Sequence, residues 1–116
     1  MLTQDVRIHY IGFHPAEKTE QRLQTWADEL HEEAPSESCM KVVYSKHGRD
    51  YQGEIRITSR AGEFYAIASG INLYSVARDV TKRMRRQLQK WKTVRFHRHG
   101  NIGQAEETIP PRSSLN

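Results

Sequence analysis

The sequence predicts an α+β domain in the order β-α-β-β-β-α, a four-stranded sheet covered on one face by two helices. Three observations carry this. Four short segments alternate apolar and polar residues, and two longer ones repeat apolar residues at helical spacing. The length, 116 residues with 36% hydrophobic and 28% charged side chains, suits one globular domain with a modest core.

Val6, Ile8 and Tyr10 alternate with Arg7 and His9, the pattern of a half-buried first strand. Gly12 and His14-Pro15 interrupt it, and Pro15 suits the first turn of a helix. Leu23, Trp26, Ala27 and Leu30 then fall at i, i+3, i+4 and i+7, with acids between them. This predicts an amphipathic helix over about 16–33, ended by Ala34-Pro35-Ser36. Three strands come next. Met40, Val42 and Tyr44 share one side of the first, over 39–46. Tyr51, Gly53, Ile55 and Ile57 alternate with polar residues in the second, over 51–60. Phe64, Ala66 and Ala68 mark the third, over 63–69. The breaks at 47–50 and 60–63 read as hairpin turns, so these three strands form an antiparallel meander.

From Leu73 the period becomes helical. Leu73, Val76, Ala77, Val80, Met84, Leu88 and Trp91 fall within about 120° of one another, a core-facing stripe. Trp26 and Trp91 lie on these stripes and are expected to pack against the sheet. Arg95 and Arg98 would return to the stripe, so the packed helix is expected to end near Val94, with the residues beyond it projecting or frayed. The domain is read as 1–99. Residues 100–116, rich in proline, glycine and serine, are read as a disordered tail. The sheet face away from the helices is left relatively polar.

Charge is segregated along the chain. The formal net charge is +4, yet residues 1–72 hold 8 Lys/Arg against 11 Asp/Glu, while residues 73–99 hold 9 Lys/Arg against Asp79 alone. A mildly acidic body carries one intensely basic helix, which points to a polyanionic partner. Outside the core stripe, Arg78, Lys82, Arg85, Gln89 and Lys92 lie within about 80°, and Arg83, Arg86 and Lys90 form a second row on the flank. Like charges at i+3 and i+4 repel. A solvated charged face is the bland explanation, but such faces usually carry acids four residues away, and these are nearly absent here. Phosphate is the natural counter-charge, since arginine's planar fork matches two phosphate oxygens. Both rows would meet RNA at once only if the helix lay in a cleft between RNA walls.

Other classes are poorly supported. No run approaches the roughly 18 apolar residues of a membrane span, and the basic helix's apolar stripe is needed to cover the sheet. The start, Met1-Leu2-Thr3-Gln4-Asp5, lacks the order of a signal peptide. Cys39 is the only cysteine, which excludes an intramolecular disulfide and a thiolate-rich zinc site, and a cytoplasmic location is expected. Cys39 is read as a buried, inert thiol. His97 and His99 point about 200° apart on a helix, and His9, His14, His31 and His47 show no ligand-like spacing, so no metal or cofactor is expected. Gly48, Gly53 and Gly62 form no phosphate-binding loop.

A family resemblance joins these features. Asn72-Leu73-Tyr74, together with Arg86-Gln87-Leu88-Gln89-Lys90-Trp91-Lys92, resembles the second helix of the ribosome hibernation promoting factors. These ribosome-associated inhibitors were once called sigma-54 modulation proteins. The resemblance spans about residues 5–95 and includes the element order, the Gly62-Glu63 hairpin and Tyr74 at the start of the last helix. It implies a mixed sheet with the first two strands parallel, similar to a double-stranded-RNA-binding domain. It implies binding to the small ribosomal subunit and its rRNA, in the decoding channel where mRNA and tRNA lie. The implied role is to silence ribosomes in stress or stationary phase, without enzymatic chemistry, substrate or cofactor. Arg83, Arg86, Lys90 and Lys92 match basic residues of the family helix, whereas Arg78, Lys82 and Arg85 stand where acids are common. The chain looks like a short family form and is expected to be a monomer when free. The alternatives are a small ribosome-dependent RNase, or a regulator that binds a protein through the open sheet face.

Overall fold

The computed structural model describes the chain from Asp5 to Gly100, with side chains to Val94. The elements are β1 (Val6–Ile11), α1 (Glu17–His31), β2 (Cys39–His47), β3 (Asp50–Ser59), β4 (Gly62–Gly70) and α2 (Leu73–Gly100). The sheet order is β1-β2-β3-β4. β1 runs parallel to β2 with Val6 opposite Met40, and α1 makes the crossover that such a pair requires. β2–β3 and β3–β4 are antiparallel hairpins. The order and the α+β class are as the sequence predicts, and the parallel β1–β2 pair is as the family resemblance implies. The tail expected over 100–116 lies outside the described residues except for Gly100, which ends α2.

Alternation decides which side chains enter the core. Met40, Val42 and Tyr44 of β2, Ile55 and Ile57 of β3, and Ala66 and Ala68 of β4 are all buried. Leu23, Ala27 and Leu30 of α1 cover them, with Val76, Ala77, Val80, Met84 and Leu88 of α2. The small β4 residues let α2 sit close to the sheet. Gly53 has the same role on β3, because a Cβ there would lie 2.9 Å from the Tyr44 ring and 3.1 Å from Val76. Burial raises the hydroxyl of Tyr10 to about 12 and raises that of Tyr44 as well.

Local chemistry fixes the helix ends. Asn72 caps α2, its Oδ1 accepting the Ser75 backbone N–H at 3.0 Å. Pro15 falls before Ala16, the residue that caps α1, rather than inside its first turn. At the other end of α1, His31 Nε2 donates to the Ser38 carbonyl at 2.9 Å and pins the loop into β2.

One expectation, on Cys39, needs correction. α2 continues helical to Gly100, past the point near Val94 where its packed part is expected to end. Trp26 packs against the hydrophobic core and also meets Tyr74 of α2 edge-on at 6.1 Å. Trp91 reaches the sheet, at 6.0 Å from Phe64, and is half-buried. Cys39 is exposed rather than buried. It is one residue out of phase with Met40, Val42 and Tyr44, so its side chain takes the open face.

Candidate nucleic-acid interface

α2 is fastened on both flanks, and those attachments decide which of its cations are free. On one side, Gln87 bridges the outer edge of β4, donating to the Tyr65 carbonyl at 2.6 Å and accepting the Tyr65 N–H at 3.4 Å. Arg83 donates to the Ile67 carbonyl at 2.7 Å. Backbone groups that would otherwise form an unpaired sheet edge are thereby satisfied. On the other side, Arg85 pairs with Glu33, just beyond α1, at 2.9 Å, with the two side chains 36% and 31% exposed. Arg83 and Arg85 are thus engaged within the domain.

The remaining candidates are Arg78, Lys82, Arg86 and Lys90, all exposed, and the half-buried Lys92. None has an ion pair or side-chain hydrogen bond among the described residues. Four of them, Arg78, Lys82, Arg86 and Lys90, succeed one another at i, i+4 and form a continuous ridge on the outer face of α2. Each adjacent like-charged pair costs the helix about 0.2–0.5 kcal/mol, and Asp79, three residues before Lys82, is the one acid on α2 to offset it. The sequence places the seven cations in one row and a second on its flank. In the structure four of them form one exposed ridge, Arg83 and Arg85 are tied within the domain, and Lys92 is half-buried.

α1 adds two cations that the charge pattern of the sequence did not single out. Lys18 and Arg22 are exposed near its N-terminal end, with the Arg22 guanidinium 5.6 Å from the centre of the Tyr74 ring. Their signal was the i, i+4 spacing beside Trp26, hidden among the acids of an overall acidic helix. The open sheet face differs in kind. Arg7, Lys41 and Arg56 stand opposite one another across β1, β2 and β3. However, Glu54 and Glu63 share that face, and Arg56 pairs with Glu63 at 3.6 Å. Its charge is mixed, whereas that of the α2 ridge is not. Among the described residues no group of three or more His, Cys, Asp or Glu side chains is placed to hold a metal, and no helix is long and apolar enough to cross a membrane.

A mixed four-stranded sheet backed by two helices, one carrying an exposed cationic ridge, defines a small α+β domain with one strongly basic face. Solved structures place that fold more closely. The chain is similar to the N-terminal domain of Protein Y from Thermus thermophilus, with a TM-score of 0.64 and 16% identity over 73% of this chain and 94% of that one. It is also similar to a ribosomal subunit interface protein from Coxiella burnetii, with a TM-score of 0.64 and 13% identity over 76% of this chain and 97% of that one. The fold therefore matches that of the family the sequence resembles. No protein-family model matches the chain, and no curated protein sequence does either.

Proposed function

We propose that this protein is a ribosome hibernation factor that binds the small ribosomal subunit through α2, occupies the mRNA and tRNA channel, and blocks translation without chemistry. The observation that carries this reading is the ridge Arg78, Lys82, Arg86 and Lys90. It is a stretch of mutual repulsion with Asp79 as the single acid on the helix, and an RNA backbone would supply the missing counter-charge. The shared fold with a ribosomal subunit interface protein supports the partner. Lys92 extends the contact toward the C-terminal half of the helix. Arg83 and Arg85 serve chiefly to hold α2 in place. In this reading the protein acts in the cytoplasm, as a monomer, with rRNA as its ligand and no cofactor.

Sedimentation of ribosomes through sucrose with and without the protein tests the reading, alongside in vitro translation. The protein should travel with ribosomal particles and lower the translation yield. Absence from the ribosomal fractions at low salt would refute the partner, and unaffected translation at saturating protein would refute the inhibitory role.

A further inference from the structure

Beside the ridge, between the N-terminal halves of α1 and α2, lies an open notch of about 490 Å³ lined by Lys18, Gln21, Arg22, Thr25, Trp26 and Tyr74. Its lining contains two cations, two aromatic rings and two neutral polar side chains, and no carboxylate. The rings are held in place. Trp26 and Tyr74 meet at 6.1 Å with their planes 69° apart, and the Tyr74 hydroxyl shares a hydrogen bond of 3.1 Å with Thr19 Oγ1. Arg22 lies over Tyr74, and Lys18 stands one turn before it on α1.

This combination suits one kind of ligand. A flat aromatic group finds rigid ring surface against Trp26 and Tyr74, with the Gln21 amide offering a donor and an acceptor to its edge and Thr25, whose hydroxyl donates to the Gln21 carbonyl, a further acceptor. A phosphate attached to that group finds Lys18 and Arg22. Base, edge and phosphate together describe a nucleotide. A base stacked inside a duplex offers no free face, so the nucleotide must be unpaired. Arg78, at the start of the ridge, lies one helical turn beyond Tyr74, which joins the notch to the cationic surface. We infer that the notch takes up a single unpaired nucleotide of the RNA that lies along α2, its base against Trp26 and Tyr74 and its phosphate against Lys18 and Arg22. The inference rests on the proposed function, which supplies the RNA, and it adds a requirement that this RNA be single-stranded at one point.

The test uses Trp26 as the reporter. In a Trp91→Phe variant, which keeps an aromatic ring beside Phe64, Trp26 is the only tryptophan. A short oligoadenylate should quench its emission, while the same strand annealed to oligouridylate, and free AMP at equal concentration, should not. In the otherwise native chain, Trp26→Leu should weaken oligoadenylate binding, read by anisotropy of labelled RNA, by about 5- to 150-fold. Arg22→Ala should weaken it as well, and Trp26→Leu should leave duplex binding unaltered. Oligoadenylate that fails to bind the native chain, or that binds without changing Trp26 emission, overturns the inference. Equal quenching by AMP overturns the RNA form of it. Ribosome co-sedimentation separates the two levels: a protein that still sediments with ribosomes while Trp26 stays unquenched loses the notch and keeps the proposed function.

Discussion

Replacing Lys82 by glutamine should move stability and binding in opposite directions. Lys82 has two like-charged neighbours four residues away, Arg78 and Arg86. Relieving both pairs, less the lost attraction of Asp79 three residues before, should stabilise the domain by roughly 0.2–0.5 kcal/mol, a rise of about 1–4 °C in the unfolding midpoint. The same change removes one phosphate contact. If the five unpartnered cations each neutralise one phosphate, the slope of log affinity against log salt should be about −3.5 to −4.5. A doubling of salt would then weaken binding about 10- to 20-fold, and Lys82→Gln should reduce the slope by about 0.7–0.9. Arg85→Gln is the control. It breaks the pair with Glu33 at 2.9 Å, so it should cost at most about 1 kcal/mol of stability and leave the slope unchanged. Co-sedimentation with ribosomes over a salt series and thermal unfolding read both quantities. A slope that changes for Arg85→Gln and not for Lys82→Gln would refute the assignment of the ridge. A destabilised Lys82→Gln would show that its repulsion is already offset within the domain.

Gly53→Ala should cost about 1–3 kcal/mol in chemical denaturation, because the added Cβ meets the Tyr44 ring at 2.9 Å and Val76 at 3.1 Å, neither free to move. Gln87→Leu should cost about 1–2 kcal/mol and speed hydrogen exchange at the Tyr65 amide, since both hydrogen bonds to the β4 edge are lost. Burial raises Tyr10 to about 12 and raises Tyr44 too, whereas an unfolded tyrosine ionises near about 10. The unfolded chain then loses these protons first, so stability should hold up to about pH 10 and decline above it, as urea midpoints across that range would show.

The fold was legible because its determinants are local and periodic. Alternation in β2, β3 and β4 identifies the buried side chains, and the stripe from Leu73 to Leu88 identifies the face of α2 that covers them. Cys39 follows its parity and not its residue type, and parity alone puts it on the open face. The cationic helix was equally plain, but its internal ties were not. Arg85 finds Glu33 and Arg83 finds the Ile67 carbonyl only after the chain has folded, from 52 and 16 residues away. A count of charges along one helix cannot see partners brought in by the sheet and the other helix. The same holds for the notch, which needs Tyr74 of α2 beside Lys18, Arg22 and Trp26 of α1.

Those ties also bear on which surface is available to a partner. A regulator that recruits a protein through a sheet commonly offers an unpaired strand edge to a new strand. At β4 the Tyr65 N–H and C=O and the Ile67 C=O already face Gln87 and Arg83, so an incoming strand would have to displace three hydrogen bonds from α2. The open face of the sheet mixes Arg7, Lys41 and Arg56 with Glu54 and Glu63, and an anionic partner gains little from a surface that repels it as often as it attracts it. The outer face of α2 has neither restriction. Of the seven cations from Arg78 to Lys92, two fasten the helix and the other five have no ion pair among the described residues, so rigidity and repulsion occur on the same element. A helix held firmly while its charges repel one another is preorganised for a polyanion, because binding relieves the repulsion without first having to order the helix.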